Sequence, residues 1–375
     1  MERIVLGYSG GLDTSVAIPW LAEKYNADVV AVTMDLGQCQ ALDAVRERAL
    51  AIGALRAHVL DLREEFARAV ILPALRACAI YEGKYPLATA LGRPLIAKHL
   101  VEVARIEGAT MIAHGGTNEG NDHLRFESAV RALDPSMTVI APAMMWGFSR
   151  AEAIEYAKRR GIPVPPGAEG PNTIDTNLWG RSILCGVQDM WSEAPEDVYQ
   201  LTKSPGEAPA QPAYVEIEFD KGVPMAINGV VMGFAELIQS LETIAGEHGV
   251  GRVDMVENRL VGPKSREFYE APAAVVLHAA HKDLQVFVTP RDLERLTTDL
   301  GVKYADLVYT GQWYSPTREA IDALVAKVQE KVTGTIRMKL FKGGCHVVGR
   351  SSPFALYDHA MVELPLRAQS HAGLS

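Results

Sequence analysis

Over residues 1–145, runs that are apolar throughout alternate with segments whose apolar positions recur at helical spacing. The runs "RIVLGY", "DVVAVTMD", "AHVLDL", "TMIAHGG" and "TVIAPAM" read as strands. Between them, "LDAVRERALAIGA" carries Leu42, Val45, Ala49 and Ile52 on one helical face. A helix is expected from Pro94, with proline at its first position and Ile96, Leu100 and Val103 at i, i+4 and i+7. Ser149 and Glu152 form a capping box for "AEAIEYAKRRG". Pro19 falls inside the helix expected after the first strand and predicts a kink or a short first segment there. Strands without a polar face, separated by helices, define an α/β domain: a doubly wound parallel sheet that binds ligands at the carboxyl ends of its strands.

The pattern changes after "PVPPGAEGPN" (163–172), which reads as a linker, and a second polar stretch, "TKSPGEAPAQPA" (202–213). "AYVEIEF" and "GTIRMKLF" alternate with period two, as half-buried antiparallel strands do, and Ser315-Pro316 opens a helix through "REAIDALVAKVQEKV". The expected organisation is a nucleotide-type α/β domain over 1–165, an α+β domain over 172–365 and a short tail over 366–375.

Charge narrows the ligand class. The chain of 375 residues has 37 basic and 46 acidic side chains, a net charge of -9, which speaks against a general nucleic-acid binder and for small-molecule substrates. No apolar run reaches the roughly 18 residues of a membrane span, and "MERIVLGYSGG" enters a strand directly rather than forming a signal peptide. Cys39, Cys78, Cys185 and Cys345 are scattered, which fits reduced thiols in a cytoplasmic protein. His278 and His281 have a spacing that suits a metal but no supporting cluster, so no protein metal site is expected.

The richest chemistry lies in "GYSGGLDTS", residues 7–15. Gly10 and Gly11 let backbone amides approach an oxyanion, and the start of a helix adds unpaired N–H groups and partial positive charge. Ser9, Thr14 and Ser15 offer hydroxyls, and Asp13 suits helix capping, loop bracing or an approach to magnesium. The loop lacks the Gly-Lys-Ser/Thr of the Walker pattern and is not G-x-G-x-x-G. It resembles the pyrophosphatase loop of the ATP pyrophosphatase superfamily, whose adenine nucleotide alpha hydrolase-like members cleave ATP between the α and β phosphates.

Other segments sharpen the resemblance: "YEGKYPLATALGRPLIAKH" (81–99), "AHGGTNEGNDHLRFE" (113–127), "NTIDTNLWGRS" (172–182), "HGVGRVDMVENRLVGPKSREFYEAP" (248–272) and "YADLVYTGQWYSP" (304–316). Together they resemble argininosuccinate synthases over nearly the whole chain. The resemblance implies a ligase of arginine biosynthesis that adenylates the ureido oxygen of citrulline and condenses it with aspartate. ATP, with magnesium, is a substrate, and no prosthetic group is implied. It implies ATP contacts from Gly7, Tyr8, Ser9, Gly10, Gly11, Leu12, Asp13, Thr14 and Ser15, with Met34 and Gly115 near the nucleotide. Thr117, Asn121 and Asp122 match aspartate-binding positions. Tyr85, Asn121, Arg125, Thr173, Ser182, Glu257 and Tyr269 match citrulline-binding positions, and Asp13, Asp122 and Arg125 are the candidates for catalysis.

The chain departs from the family pattern in places. Glu119 stands where that pattern has lysine, Ala90 where some members carry serine, and "GPKSREF" replaces "GMKSRG". A homo-oligomer, dimer or tetramer, is implied; the stop at Ser375, where the family continues into a subunit-wrapping helix, speaks against the tetramer. Two competing readings are a paralogue that adenylates another ureido or amide compound and a nucleotide-binding protein without catalysis.

Overall fold

The structure is a computed structural model that describes residues 2–38, 41–117, 120–164, 173–184 and 189–357. Cys39, Cys185, Glu119, most of the expected linker and the whole tail lie outside the described residues.

The first half contains β1 (Glu2–Gly7), β2 (Ala27–Asp35), β3 (Arg56–Asp61), β4 (Met111–Ala113) and β5 (Thr138–Ile140). They form a parallel sheet in the order β3-β2-β1-β4-β5. Alternate residues of β1 enter different cores: Ile4 and Leu6 pack with Ile18 and Leu21, whereas Val5 belongs with Leu95 and Leu100. Both faces of β1, and likewise of β2, are therefore buried, which explains why these central strands are apolar almost throughout. The chain winds outward from β1 to β3 and then returns to β4 on the other side of β1. The switch point, and hence the crevice expected to take a ligand, lies beyond the carboxyl ends of β1 and β4.

Three prolines bear on the expected elements. The helix Leu12–Tyr25 continues as one element through Pro19, so no short first segment forms. Burial of Leu12 and Val16 in one core and of Ile18 and Leu21 in another holds this helix despite the lost N–H. Pro94 lies inside a helix spanning Ala88–Glu107 rather than at its start. Leu87 begins that helix from a left-handed conformation, and the residues before Pro94 are buried against both halves of the molecule. The run "TVIAPAM" is a strand only to Ile140, because Pro142 opens a short helix, Pro142–Met145. The capping box forms as the sequence reads, with Ser149 accepting from the Glu152 amide and Glu152 accepting from the Ser149 amide.

The second half contributes β6 (Thr173–Asn177), β7 (Gly180–Leu184), β8 (Ala213–Asp220), β9 (Val223–Ile227), β10 (Val230–Val231), β11 (Arg252–Glu257), β12 (Ser265–Glu270), β13 (Gly334–Phe341) and β14 (Gly344–Ser351). These strands make two antiparallel sheets, β10-β9-β8-β13-β14 and β11-β12-β7-β6. The second half is thus α+β, with period-two burial on β8 and β13.

The β6–β7 hairpin fastens the two halves together. The Leu178 amide donates to the Leu36 carbonyl at 2.7 Å, Trp179 Nε1 to the Pro86 carbonyl at 2.9 Å, and Asn177 Nδ2 to the Ala88 carbonyl at 2.7 Å. One hydrophobic core runs through this contact, containing Leu91 and Leu95 of the first half with Leu178, Trp179 and Tyr269 of the second. The four-stranded sheet is thereby presented to the crevice at the end of the parallel sheet.

Candidate active site

The loop after β1 is shaped by its neighbours. Gly10 has φ +76°, and a Cβ there would meet Val45 at 3.1 Å, so glycine answers both a left-handed backbone and a close approach. Arg48 Nη1 donates to the Gly10 carbonyl at 2.8 Å. The following helix begins at Leu12 with Gly11 as N-cap and no side-chain cap, leaving its first turn to amides and the helix dipole. Ser9 Oγ lies 3.1 Å from Thr14 Oγ1 and accepts from the Gly11 amide at 3.2 Å. Tyr8 and Ser15 are buried, with their hydroxyls 3.1 Å apart, so these two side chains brace the loop from inside. Asp13 lies in the first helical turn.

The loop after β4 closes the other side of the crevice. A Cβ on Gly115 would stand 2.6 Å from Thr14 Cγ2, so the two loops touch only because this position has no side chain. The Gly116 amide donates to His114 Nδ1 at 3.1 Å, and the His114 ring stacks on Phe126. Burial lowers the His114 pKa to about 4, so this imidazole is neutral at physiological pH. Met34, near the end of β2, is buried, and Gly7 ends β1 with Leu100 against it. Thr117 lies half-buried on the same loop.

From that loop the chain enters the helix Asp122–Leu133, whose first turn faces the second half of the molecule. Arg125 is buried there, whereas Glu127 is exposed and pairs with Arg131 at 2.8 Å. Arg125 Nη1 donates to Asp122 Oδ1 at 3.0 Å, and Arg93 Nη2 donates to Asp122 Oδ2 at 2.7 Å. Arg93 also pairs with Asp175 on β6. Burial alone would raise the Asp122 pKa; the charges of Arg93 and Arg125 outweigh it and hold this carboxyl at about 2. Each Asp122 oxygen thus already has one partner, and each retains acceptor capacity for another.

The far wall is built by the four-stranded sheet. Register places Asp175, Ser182, Tyr269 and Val253 in one row across it. Tyr85 stacks on Tyr269 with ring centroids 4.0 Å apart, and Thr89 links the Tyr85 hydroxyl, through its amide at 3.0 Å, to the Ser182 hydroxyl at 2.6 Å. Glu257, at the end of β11, is only 4% exposed. Its two oxygens accept from Tyr269 at 2.7 Å and Tyr309 at 2.6 Å. Burial raises its pKa, against the opposing effect of those hydroxyls and of Arg125. Asn121 donates from Nδ2 to the Tyr309 hydroxyl at 2.9 Å and accepts at Oδ1 from the Leu260 amide at 3.2 Å. Thr173 stands exposed at the outer end of β6, on the same face as Asp175. Ala90 is buried, and Glu267 is half-buried on the face of β12 that carries Tyr269.

Three members of this network escape a reading of the sequence. Arg93 looks like a helix-surface charge, Asp175 like a polar residue of an alternating strand, and Tyr309 like the end of an amphipathic helix. Their common signal is placement within the motif segments 81–99, 172–182 and 304–316. The histidine pair stays apart from the site. His281 Nε2 lies 2.8 Å from Gln329 Oε1, and burial lowers His278 and His281 to about 3 and about 4, the values of core histidines.

A parallel sheet with a glycine-bearing loop at its switch point, facing a wall of paired charges and tyrosines, defines a doubly wound α/β protein whose ligand crevice lies at that switch point. Family models described as the arginosuccinate synthase N-terminal HUP domain and C-terminal domain match residues 3–163 and 172–371. The chain is 54% identical over 360 residues to an argininosuccinate synthase of Symbiobacterium thermophilum, covering 96% of this chain and 90% of that one. It is 52% identical over 358 residues to the one of Oceanobacillus iheyensis, covering 95% and 86%, and 51% identical over 361 residues to the one of Dictyoglomus turgidum, covering 96% and 90%. The chain belongs to the argininosuccinate synthase family.

Proposed function

We propose that this enzyme is the ligase that condenses citrulline with aspartate to argininosuccinate, converting ATP to AMP and pyrophosphate, in arginine biosynthesis. The chemistry calls for two adjacent subsites. Two nitrogens feed the ureido carbonyl and make its carbon a poor electrophile, but its oxygen can attack the α-phosphorus of ATP. The bond from that phosphorus to the bridging oxygen breaks and pyrophosphate leaves. The aspartate amine then adds to the activated carbon, the carbon–oxygen bond to AMP breaks, and the nitrogen gives up its proton. Positioning and electrostatics supply most of such a rate.

In this reading the amides and hydroxyls of Gly7 to Ser15 hold the triphosphate, with Tyr8 and Ser15 as internal braces and Met34 and Gly115 beside the nucleotide. ATP enters as its magnesium complex, and Asp13, in the first helical turn, is the carboxylate that would approach that charge. Thr117, Asn121 and Asp122 take aspartate. Tyr85, Asn121, Arg125, Thr173, Ser182, Glu257 and Tyr269 take citrulline. The observation that carries the reading is the course of one segment: Gly115 abuts Thr14 of the loop, and a few residues on the same segment supplies Asn121, Asp122 and Arg125. A ureido oxygen held by that pocket therefore lies next to the phosphates.

We further place the enzyme in the cytoplasm. Cys78 and Cys345 are free, and among the described residues no helix is long and apolar enough to cross a membrane. We propose a homo-oligomer, dimer or tetramer, supported by exposed Val230 and Val231 on the edge strand β10 and testable by light scattering.

Purified protein incubated with ATP, magnesium, aspartate and citrulline should release pyrophosphate in a citrulline-dependent manner and form argininosuccinate. Pyrophosphate released only with another ureido compound would favour a paralogous acceptor, and ATP binding without any AMP would make the protein a non-catalytic binder.

A further inference from the structure

We propose that Tyr309 is a positioning residue for the ureido substrate, its hydroxyl fixing Glu257 and Asn121 while its carbonyl and ring fix Arg125. The inference rests on the reading of those three residues as the citrulline pocket.

The hydroxyl has one proton, and its short contact to Glu257 Oε1 uses it. Its remaining capacity is as an acceptor, and Asn121 Nδ2 donates into it. This chain of bonds decides which end of the Asn121 amide faces Tyr309, and the Leu260 amide at Oδ1 secures the same orientation from the other side. Asn121 is left with one N–H and one acceptor position to offer a ligand. Glu257 is held in place by neutral hydroxyls, so its charge stays available to an ammonium or a ureido N–H.

The backbone of the same residue positions the cation. Tyr309 is the last residue of the helix Arg291–Tyr309, where carbonyls lack helical partners, and its carbonyl accepts from Arg125 Nε at 2.9 Å. The Arg125 guanidinium also lies over the Tyr309 ring, 4.9 Å from its centroid. Gly311 follows with φ +75°, and a Cβ there would sit 2.9 Å from Arg125 Cα, so this glycine permits the helix end to rest on Arg125. Tyr81 stacks on Tyr309 at 3.7 Å with an interplanar angle of 5°, which holds the ring and hence the hydroxyl direction. Tyr309 itself is 1% exposed. It thus acts through its three neighbours.

Tyr309→Phe keeps the ring, the stack and the backbone bond, and removes only the hydroxyl. The citrulline KM should rise about tenfold, the expected scale for losing a hydrogen bond to a buried charged group. The aspartate KM should rise less, through Asn121, and the ATP KM should stay within about twofold. Tyr81→Phe, whose hydroxyl donates to the Asn258 carbonyl at 2.9 Å, is the control and should not reproduce this split. Glu257→Gln tests the underlying reading. If Glu257→Gln raises the citrulline KM and Tyr309→Phe does not, the positioning inference is overturned. If neither moves it, the pocket assignment itself fails. A Tyr309→Phe protein without a thermal transition would make this tyrosine a folding residue and overturn the inference as well.

Discussion

The two walls of the crevice are built on opposite principles. The side-chain bonds within the loop from Gly7 to Ser15 are local: Ser9 bonds Thr14, Tyr8 bonds Ser15, and glycine sets the backbone. The opposite wall is assembled from five separated segments and held by bonds between residues 82, 184 and 188 positions apart in the chain. A loop that grips phosphate through amides needs few side chains. A pocket that must tell one amino acid from another needs several charges and hydroxyls aimed from different directions, and only long-range folding delivers them. The two walls should therefore fail separately.

The strongest test of that separation is Asp122→Ala. It removes the acceptor shared by Arg93 and Arg125 and, in the proposed reading, the partner of the aspartate ammonium. Aspartate-dependent product formation should fall about a hundredfold, the scale expected when one member of a desolvated charge pair is lost. ATP binding by calorimetry should be unchanged, and citrulline-dependent pyrophosphate release should persist with a raised citrulline KM. Loss of ATP affinity would show that the walls are not independent.

Arg93→Ala should act on stability first. It leaves Asp122 and Asp175 without their shared cation. Breaking a fully buried pair costs about 3–5 kcal/mol. Asp175 is about one-third exposed, so about 2 kcal/mol is expected from urea unfolding. Arg93→Lys should recover less than half of it, because an ammonium cannot reproduce the guanidinium fork.

Gly115→Ala addresses the other wall. A methyl group 2.6 Å from Thr14 Cγ2 forces the β1 and β4 loops apart. Overpacking of this kind costs about 1–3 kcal/mol, so ATP affinity should fall about tenfold or more. An unchanged ATP affinity would place the nucleotide away from this contact.

The same contrast explains what the sequence could reveal. Uniformly apolar strands and period-two strands are local patterns, and both led to the sheets that formed. The opening loop is likewise a contiguous string whose glycines and hydroxyls carry their own chemistry. Pro94 misled because a helix start and a buried mid-helix proline look alike until Trp179 and its neighbours are known to bury the turn before it. Arg93 and Tyr309 carry no local mark at all. Their roles exist only once β6 and the end of the helix Arg291–Tyr309 are brought against them or against Asn121. Asp122 could be read as a helix cap; instead Asn121 occupies the cap position and Asp122 serves as the centre of an ion-pair cluster.

The smallest expected effect is on pH dependence, and it too divides the walls. Burial raises the Glu257 pKa above the ordinary glutamate value, so as pH falls Glu257 takes up a proton earlier than a solvent-exposed glutamate would and, in the proposed reading, loses an acceptor for citrulline. The kcat/KM for citrulline should therefore decline on the acid side, while Asp122, held at about 2, stays ionised throughout. Glu267, which stands where the family pattern has glycine, is pushed up to about 7 by burial and by the charge of Glu257. Because Glu257 is charged while Glu267 titrates, Glu267 takes up its proton first as pH falls and is neutral over the acid limb of Glu257. Glu267→Gln should therefore leave the acid limb of Glu257 in place and remove only the inflection that Glu267 itself adds near pH 7. The ATP KM should not respond. A limb that moves to lower pH in Glu267→Gln would mean that Glu267 is still ionised where Glu257 titrates, and a limb seen equally in ATP binding would assign the titration to the loop.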